Sequence, residues 1–242
     1  MGRVERVVFV HGSVGNAATT WAAQRPLEEQ FACVFLTRSG YPPGPYLESI
    51  DFEEQADDVA GELRDGDHLV GHSYGGVVSL LAAARGPALR SLTVSEPPAF
   101  GVARGNPAVE EFLELILTFR SGNPTPREYL EFFLPLVGSA IELPETLPPA
   151  LEQGARAALA ERSPEEAVLP FAALAATAYP KLVISGGHHP AFDAVCDVVE
   201  TELSAERAVL PGAGHSLPRA PGYNALLADF IQRAAATRGR AT

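Results

Sequence analysis

The sequence predicts an α/β fold built on a doubly wound, mostly parallel sheet, and three observations support this prediction. The chain has 242 residues, which is long enough for a well-packed core and common for one α/β domain. Short continuous apolar runs, such as residues 7–10 and 182–184, are typical of strands that are buried on both faces. These runs alternate with helix-like stretches on both sides of residues 99–178, which is the order expected when helices join parallel strands.

The pattern places each element in turn. The predicted strands lie at residues 7–10, 31–36, 68–70, 89–95, 181–185 and 208–210. The predicted helices that flank them lie at residues 20–30, 51–63, 74–85, 192–203 and 221–235. Thr19 or Thr20 is a candidate N-cap for the first helix. Arg85, Gly86 and Pro87 mark the end of the third, because a basic last turn, a glycine stop and a following proline are typical of helix ends.

Residues 99–178 follow a different pattern, and we predict that they form a helical insert after the strand that ends near Ser95. Helix-like stretches appear at residues 106–119, 126–137, 148–160 and 164–176, separated by prolines and glycines. Its aromatic residues lie mostly at helical spacing: Phe112, Phe119, Tyr129, Phe132, Phe133 and Phe171. The sequence therefore divides into a core at residues 1–98 and 179–242 and an insert at residues 99–178. The apolar faces of the insert are expected to pack on each other and on the sheet, or to line a pocket.

Composition argues against some partners. The formal net charge of −12 and the pI of about 4.9 disfavour binding to nucleic acids or to anionic membranes. Apolar runs are too short to span a membrane, and the N-terminal residues do not resemble a secretory signal. Cys33 and Cys196 lie in apolar surroundings without disulfide or metal spacing, so both are predicted to be buried. A reducing compartment, the cytoplasm, is the expected location.

The stretch at residues 70–76 reads Val-Gly-His-Ser-Tyr-Gly-Gly and carries the strongest indication of chemistry. A serine on a tight turn between a strand and a helix has its hydroxyl raised above the sheet edge. The helix then directs free N–H groups and its positive dipole end toward whatever Ser73 attacks. Gly71 and Gly75 leave room where a Cβ atom would crowd the turn. An ordinary strand-to-helix turn is the alternative interpretation.

Together with a His11-Gly12 turn and a Gly214-His215 turn in the same order, this stretch resembles the α/β-hydrolase family. The resemblance covers most of the chain, and residues 97–178 match as a variable insert that would form a lid. It implies that the backbone N–H groups of Ser13 and Tyr74 form an oxyanion hole. His11 is expected to shape its loop rather than to act as a base.

Serine is a poor nucleophile unless a base lies within hydrogen-bonding reach, and His215 is the predicted base. A third residue should orient the imidazole. The family most often places an aspartate three residues after Gly186, but His189 occupies that position. The other position used in the family is the end of the strand after the nucleophile helix, where Glu96 stands. Glu96 is therefore the predicted acid, with Asp193 and Asp197 as alternatives.

Two further features bear on the site. The family usually has an acidic residue next to an arginine where Thr37 and Arg38 stand, so one supporting ion pair is expected to be missing. His188 and His189 could suggest a metal site, but adjacent histidines cannot easily face one ion and no third ligand is evident. We therefore predict neither a metal nor a cofactor.

The sequence favours a serine hydrolase that cleaves an ester, thioester or lactone of a small, largely apolar substrate through an acyl-Ser73 intermediate. One alternative is another reaction on the same fold, such as a lyase, an acyl transfer or a cofactor-free perhydrolase step. The other is a non-catalytic ligand-binding relative. The acyl and leaving groups, the acyl acceptor and the oligomeric state are not determined by the sequence.

Overall fold

A six-stranded sheet forms the centre of the computed structural model, which describes residues 4–139, 141–212 and 214–237. The strands are β1 (Arg6–Val10), β2 (Ala32–Leu36), β3 (His68–His72), β4 (Ser91–Ser95), β5 (Lys181–Ser185) and β6 (Glu206–Val209). Their order across the sheet is β2-β1-β3-β4-β5-β6, and each neighbouring pair is parallel. The predicted fold class is thus confirmed. Because the strands are parallel, the loops that follow them gather at one edge of the sheet.

The α-helices are α1 (Ala17–Thr20), α2 (Phe52–Glu62), α3 (Tyr74–Arg85), α4 (Pro107–Ser121), α5 (Pro126–Leu136), α6 (Pro149–Ala160), α7 (Phe171–Ala175), α8 (Pro190–Leu203) and α9 (Tyr223–Thr237). Short 3₁₀ helices occupy Ala22–Glu29, Phe100–Ala103, Pro164–Glu166 and Leu217–Arg219. Asp51 caps α2 through its side chain, and Arg85 ends α3 as expected.

Two apolar cores cover the two faces of the sheet. Alternate side chains of a strand point to opposite faces, and β1 shows this directly. Val8 and Val10 pack in a cluster with α2, α3 and α8, whereas Val7 and Phe9 pack in a cluster with Trp21 and α9. Helices therefore cover both faces, which is the doubly wound arrangement predicted from the sequence.

The predicted helix at residues 20–30 is wrong in its form and in its cap. The chain instead forms the four-residue α1, and a 3₁₀ helix follows it. Pro26 lies inside that 3₁₀ helix, and in an α-helix its ring would clash with the carbonyl group four residues earlier, that of Ala22. Asn16, rather than Thr19 or Thr20, caps α1, and Thr19 completes a capping box with it.

The insert, residues 99–178, contains α4 to α7 and lies between β4 and β5. Its helix α4 shares the core of one sheet face with α8, while α5 and α6 pack on each other in a separate cluster. The single helix predicted at residues 164–176 is wrong, because only Pro164–Glu166 and Phe171–Ala175 are helical. Pro170 explains the break, since a proline disfavours helical geometry in the residue before it.

Two smaller predictions need correction. Cys33 is half-buried rather than buried, because β2 is an edge strand whose side chains are only partly covered. Cys196 is buried as expected, and both cysteines are free thiols. The last strand lies at Glu206–Val209 instead of residues 208–210. Within the described ranges, no helix combines the length and the apolar character needed to cross a membrane.

Candidate active site

Ser73 occupies a sharp turn between β3 and α3. Its backbone angles, φ 54° and ψ −130°, lie in a region that L-residues rarely adopt. The turn is possible because the residues two positions away on either side, Gly71 and Gly75, are glycines: a Cβ atom at Gly75 would collide with the carbonyl oxygens of Val10 and His11. The serine hydroxyl consequently stands above the sheet edge, at the first turn of a helix.

The structure brings the side chains of Ser73, His215 and Glu96 together. His215 Nε2 lies 2.7 Å from Ser73 Oγ, and His215 Nδ1 lies 2.6 Å from Glu96 Oε2. Ser73 follows β3, Glu96 follows β4, and His215 lies in the loop after β6. All three residues are buried. A proton on Nδ1 bonded to the carboxylate leaves Nε2 free to accept the serine proton.

Glu96 is held as an ionised carboxylate. Its Oε1 atom accepts a hydrogen bond of 2.7 Å from the Gly186 N–H group and lies 3.2 Å from His188 Nδ1. Burial would raise the pKa of Glu96, but the contacts with His188 and His215 and the Gly186 bond lower it below its usual range. Glu96 also has a positive φ of 43°, and its backbone N–H bonds to Ile184 of the next strand.

The alternative acids lie elsewhere. Asp193 and Asp197 are on α8, and each has a carboxylate oxygen 3.5 Å from Arg207 Nη2. His189, at the position where the family most often has an aspartate, caps α8 by accepting a hydrogen bond from Ala191 N. The geometry therefore places Glu96, and neither aspartate, against the imidazole of His215.

His188 is a neighbour of the site that sequence reasoning did not place. Glu96, His188 and His215 offer ligand atoms that all lie within 4.8 Å of one another, whereas His189 is not a member of this group and caps α8 instead. The contact between His188 and Glu96 falls short of hydrogen-bond geometry, so neither ring nitrogen of His188 has a hydrogen-bond partner among the described residues. The sequence could have indicated His188 only through its position two residues after Gly186, whose N–H group binds Glu96.

The two expected oxyanion donors flank Ser73. Tyr74 is the first residue of α3, so its N–H group has no acceptor within the helix. Ser13 follows the His11-Gly12 turn after β1, and Gly12 lies so close that a Cβ atom there would be 2.7 Å from Ser73 Cβ. Ser13, Ser73 and Tyr74 line one cavity.

His11 is fully engaged in its own loop. Its Nε2 atom accepts a hydrogen bond from Arg38 N at 3.0 Å, so Nδ1 carries the proton and donates it to Gly12 O at 2.7 Å. Burial, and next to it the charge of Arg38, lower the pKa of His11 well below its ordinary value. This neutral imidazole shapes the turn before Ser13.

Arg38 has an acidic partner after all. The missing acid at Thr37 is replaced by Glu161 of the insert, whose Oε1 atom lies 2.7 Å from Arg38 Nη2. Both side chains are buried, and Tyr41 OH donates to the same carboxylate oxygen. The other oxygen, Oε2, accepts a hydrogen bond of 2.5 Å from Ser13 Oγ. Only the unmatched Arg38 hinted at this carboxylate in the sequence, because the two residues lie 123 positions apart.

Two cavities share Ser13, Phe133 and His215 in their walls. The first, of about 50 Å³, also contains Ser73 and Tyr74 and is closed mainly by apolar side chains of the insert, among them Phe112 and Ile116. The second, of about 410 Å³, lies between the residues after β1 and helices α5 and α6. The serine hydroxyl thus faces a small, largely apolar space beside a larger one.

The insert touches both loops that flank Ser73. His215 N donates to Val137 O at 3.0 Å, and a Cβ atom at Gly214 would collide with Gly138 O. On the other side, a Cβ atom at Gly154 of α6 would collide with Val14 O. These glycines allow backbone to lie directly against backbone.

A parallel sheet with a serine on the sharp turn after β3 and a histidine on the loop after β6 defines the class of α/β-hydrolase folds. Comparison with known proteins agrees with this class. The chain belongs to the alpha/beta hydrolase family, whose sequence model matches residues 7–225. No curated protein sequence matches the chain significantly.

Several solved structures share the fold at low sequence identity. NosK from Streptomyces actuosus is 23% identical, with a TM-score of 0.65 over 96% of this chain and 100% of its own. An alpha/beta hydrolase from Sphaerobacter thermophilus is 22% identical, with a TM-score of 0.64 over 95% and 93% of the two chains. Est816, described as an N-acyl homoserine lactone degrading enzyme, is 20% identical, with a TM-score of 0.65 over 95% and 94%. At these identities the likeness establishes the fold alone.

Proposed function

We propose that this protein is a serine hydrolase that cleaves an ester, thioester or lactone through an acyl-Ser73 intermediate. The observation that carries the proposal is the unbroken hydrogen-bonded series from Ser73 Oγ through His215 to Glu96 at the wall of a cavity. Serine at position 73 also favours acyl transfer over the chemistry of family members that use an aspartate nucleophile.

In the acylation step, His215 Nε2 takes the proton of Ser73 while Oγ attacks the substrate carbonyl carbon. The carbonyl oxygen becomes an oxyanion that accepts hydrogen bonds from the N–H groups of Ser13 and Tyr74, and each donor contributes about 3 kcal/mol to the barrier reduction. Glu96 stabilises the imidazolium. The proton then passes from Nε2 to the leaving oxygen or sulfur as its bond to the acyl carbon breaks.

In the deacylation step, water replaces the leaving group at His215. Nε2 takes a proton from that water, whose oxygen attacks the acyl carbon of the ester to Ser73. The second oxyanion accepts hydrogen bonds from the same two N–H groups. It collapses by breaking the bond to Oγ, and the proton on His215 returns to Ser73, so that the free carboxylic acid leaves.

The lining of the cavity next to Ser73 favours a small, largely apolar substrate. Est816, a protein of the same fold, is described as degrading an N-acyl homoserine lactone, which supports including cyclic esters among the candidates. We also propose that residues 99–178 act as a lid that excludes water from Ser73. The free thiols of Cys33 and Cys196 are consistent with a reducing compartment, and we propose the cytoplasm. The net charge of −12 is consistent with a partner that is not a nucleic acid.

A fluorophosphonate that labels activated serines tests the proposal. The wild-type protein should be labelled and should hydrolyse a short aryl ester, whereas Ser73→Ala should lose the labelling and, by analogy with measured triads, about 10⁴-fold or more of kcat. Intact-mass spectrometry and a turnover assay provide the two measurements. A wild-type protein that is neither labelled nor active near neutral pH would contradict the proposal and leave a ligand-binding role.

A further inference from the structure

We infer that Glu161 of the insert is a positioning residue for the oxyanion hole, because it fixes the peptide plane that carries the Ser13 N–H group. The inference rests on the proposed function. It assigns a catalytic task to a contact between the insert and the sheet that the proposed triad does not include.

The peptide bond between Gly12 and Ser13 is held firmly at its carbonyl end. Gly12 O accepts two hydrogen bonds, from His11 Nδ1 at 2.7 Å and from Arg38 Nη2 at 2.9 Å. In a planar trans peptide the N–H group points opposite to the C=O group. The direction of Gly12 O therefore fixes the direction of the Ser13 N–H group, which has to meet the oxyanion.

Glu161 controls this peptide from both ends. Its Oε1 atom binds Arg38 Nη2, the same nitrogen that donates to Gly12 O. Its Oε2 atom accepts the Ser13 hydroxyl at 2.5 Å. The carboxylate thus anchors the guanidinium on one side of the peptide and the serine side chain on the other. A rotation of the 12–13 peptide would break both links.

The carboxylate is itself fixed from the insert. Arg120 Nη2 donates to the backbone oxygen of Glu161 at 2.8 Å, and the chain on either side of Glu161 bonds to Ile50 through Ala160 O and Arg162 N. Because Glu161 is buried and lines the cavity that contains Ser73, the insert reaches the reacting atoms through this residue. The position of the insert is thereby linked to the direction of the Ser13 N–H group in the oxyanion hole.

Ser13→Ala is the decisive variant, since it removes the direct bond to Glu161 without disturbing the buried charge pair. We expect kcat for an aryl ester to fall about tenfold while KM changes less than about threefold, because the misplaced donor acts mainly in the transition state. The rate of fluorophosphonate labelling should fall by a similar factor, and the unfolding midpoint should stay near that of the wild type. Glu161→Gln should lower kcat at least as much, and adding Ser13→Ala to it should have little further effect.

Ser39→Ala is the matched control, because Ser39 Oγ also donates to a carboxylate, that of Asp58, but at an exposed position outside the lining of the cavity that contains Ser73. It should leave kcat and labelling unchanged. If Ser13→Ala equals the wild type in turnover and labelling, or if its effect adds fully to that of Glu161→Gln, the inference is wrong while the proposed function stands. If Glu161→Gln does not fold, Ser13→Ala alone decides. A wild type without labelling or turnover overturns the proposed function and this inference with it.

Discussion

Two buried glutamates flank Ser73, and they come from different parts of the chain. Glu96 extends from the sheet and is linked to Ser73 through the imidazole of His215. Glu161 extends from the insert and acts on the neighbouring loop through Arg38 and the Ser13 hydroxyl. We call these the sheet side and the insert side of the site. The sheet side contains the proposed proton-transfer groups. The insert side determines the shape of the cavity and fixes the loop that carries Ser13.

The difference teaches that the proposed proton transfer and the choice of substrate have separate structural supports. On the sheet side, short loops after parallel strands place each group, and the strands fix the distances between them. On the insert side, helices α4 and α5 supply most of the apolar wall of the cavity around Ser73. Changes on the sheet side should therefore act on kcat, and changes in the apolar wall of the insert should act on the choice of substrate.

The largest effect is expected for Glu96→Gln on the sheet side. The amide retains the size of the side chain but cannot stabilise an imidazolium or hold the required tautomer, so kcat should fall about 10³- to 10⁴-fold with little change in KM. Steady-state kinetics on an aryl ester measures this. Asp193→Asn is the control and should remain within about twofold of the wild type. A larger loss in Asp193→Asn than in Glu96→Gln would contradict our assignment of the acid.

The second prediction concerns how the stability of the protein responds to acid, through a buried histidine outside the insert. All six histidines lie outside the insert, and burial, followed by repulsion from His215, lowers the pKa of His72 to about 3. As the pH falls below about 6.5, His72 is therefore protonated in the unfolded chain but not in the folded protein. The free energy of unfolding accordingly decreases with decreasing pH. Between pH 6.5 and pH 5, His72 should account for about 2 kcal/mol of the loss in the free energy of unfolding.

Urea denaturation of the wild type and of His72→Gln at the two pH values measures this contribution. Glutamine keeps a donor for the carbonyl of His215, which His72 Nε2 contacts at 2.7 Å, but it does not titrate. The decrease in unfolding free energy should be about 2 kcal/mol smaller in the variant. Equal decreases in the two proteins would show that the proton uptake occurs at other groups.

The smallest effect is expected on the insert side, for Ile116→Ala. Ile116 is partly buried and lines the cavity around Ser73, so truncation enlarges the space for an acyl chain. The ratio of kcat/KM for a longer acyl ester to that for an acetate should rise about tenfold. Leu115→Ala is the matched control, since Leu115 is 46% exposed and does not line that cavity. An unchanged ratio for Ile116→Ala, or an equal rise for Leu115→Ala, would place the acyl group elsewhere.

The sheet side could be predicted from the sequence because its signals are local. The Gly-x-Ser-x-Gly turn specifies Ser73 and its backbone, and the order of strands brings the loops of Glu96 and His215 to the same edge. The choice of Glu96 required the observation that His189 occupies the usual position of the acid. Its catalytic role stays a prediction, as do those of Ser73 and His215, although the three side chains lie within hydrogen-bonding distance.

The insert side could not be predicted in the same way. The contact between Glu161 and Arg38 joins residues 123 positions apart, and no period or motif relates them. Helix boundaries in the insert were also poorly predicted where prolines interrupt the pattern, as at Pro170. The one available clue was Thr37, since a buried arginine without its usual neighbour requires a carboxylate from another part of the chain.

The close backbone approaches at Gly138 and Gly154 have a consequence for how a substrate reaches Ser73. Because the insert lies directly against the loops of both His215 and Ser13, a wide swing of the whole insert would separate the proposed catalytic groups. We therefore expect substrate to enter through small displacements of side chains such as Phe133, which lines both cavities. On this view, substrate and product pass through local side-chain movements, and the backbone around Ser73 keeps its arrangement throughout the proposed reaction.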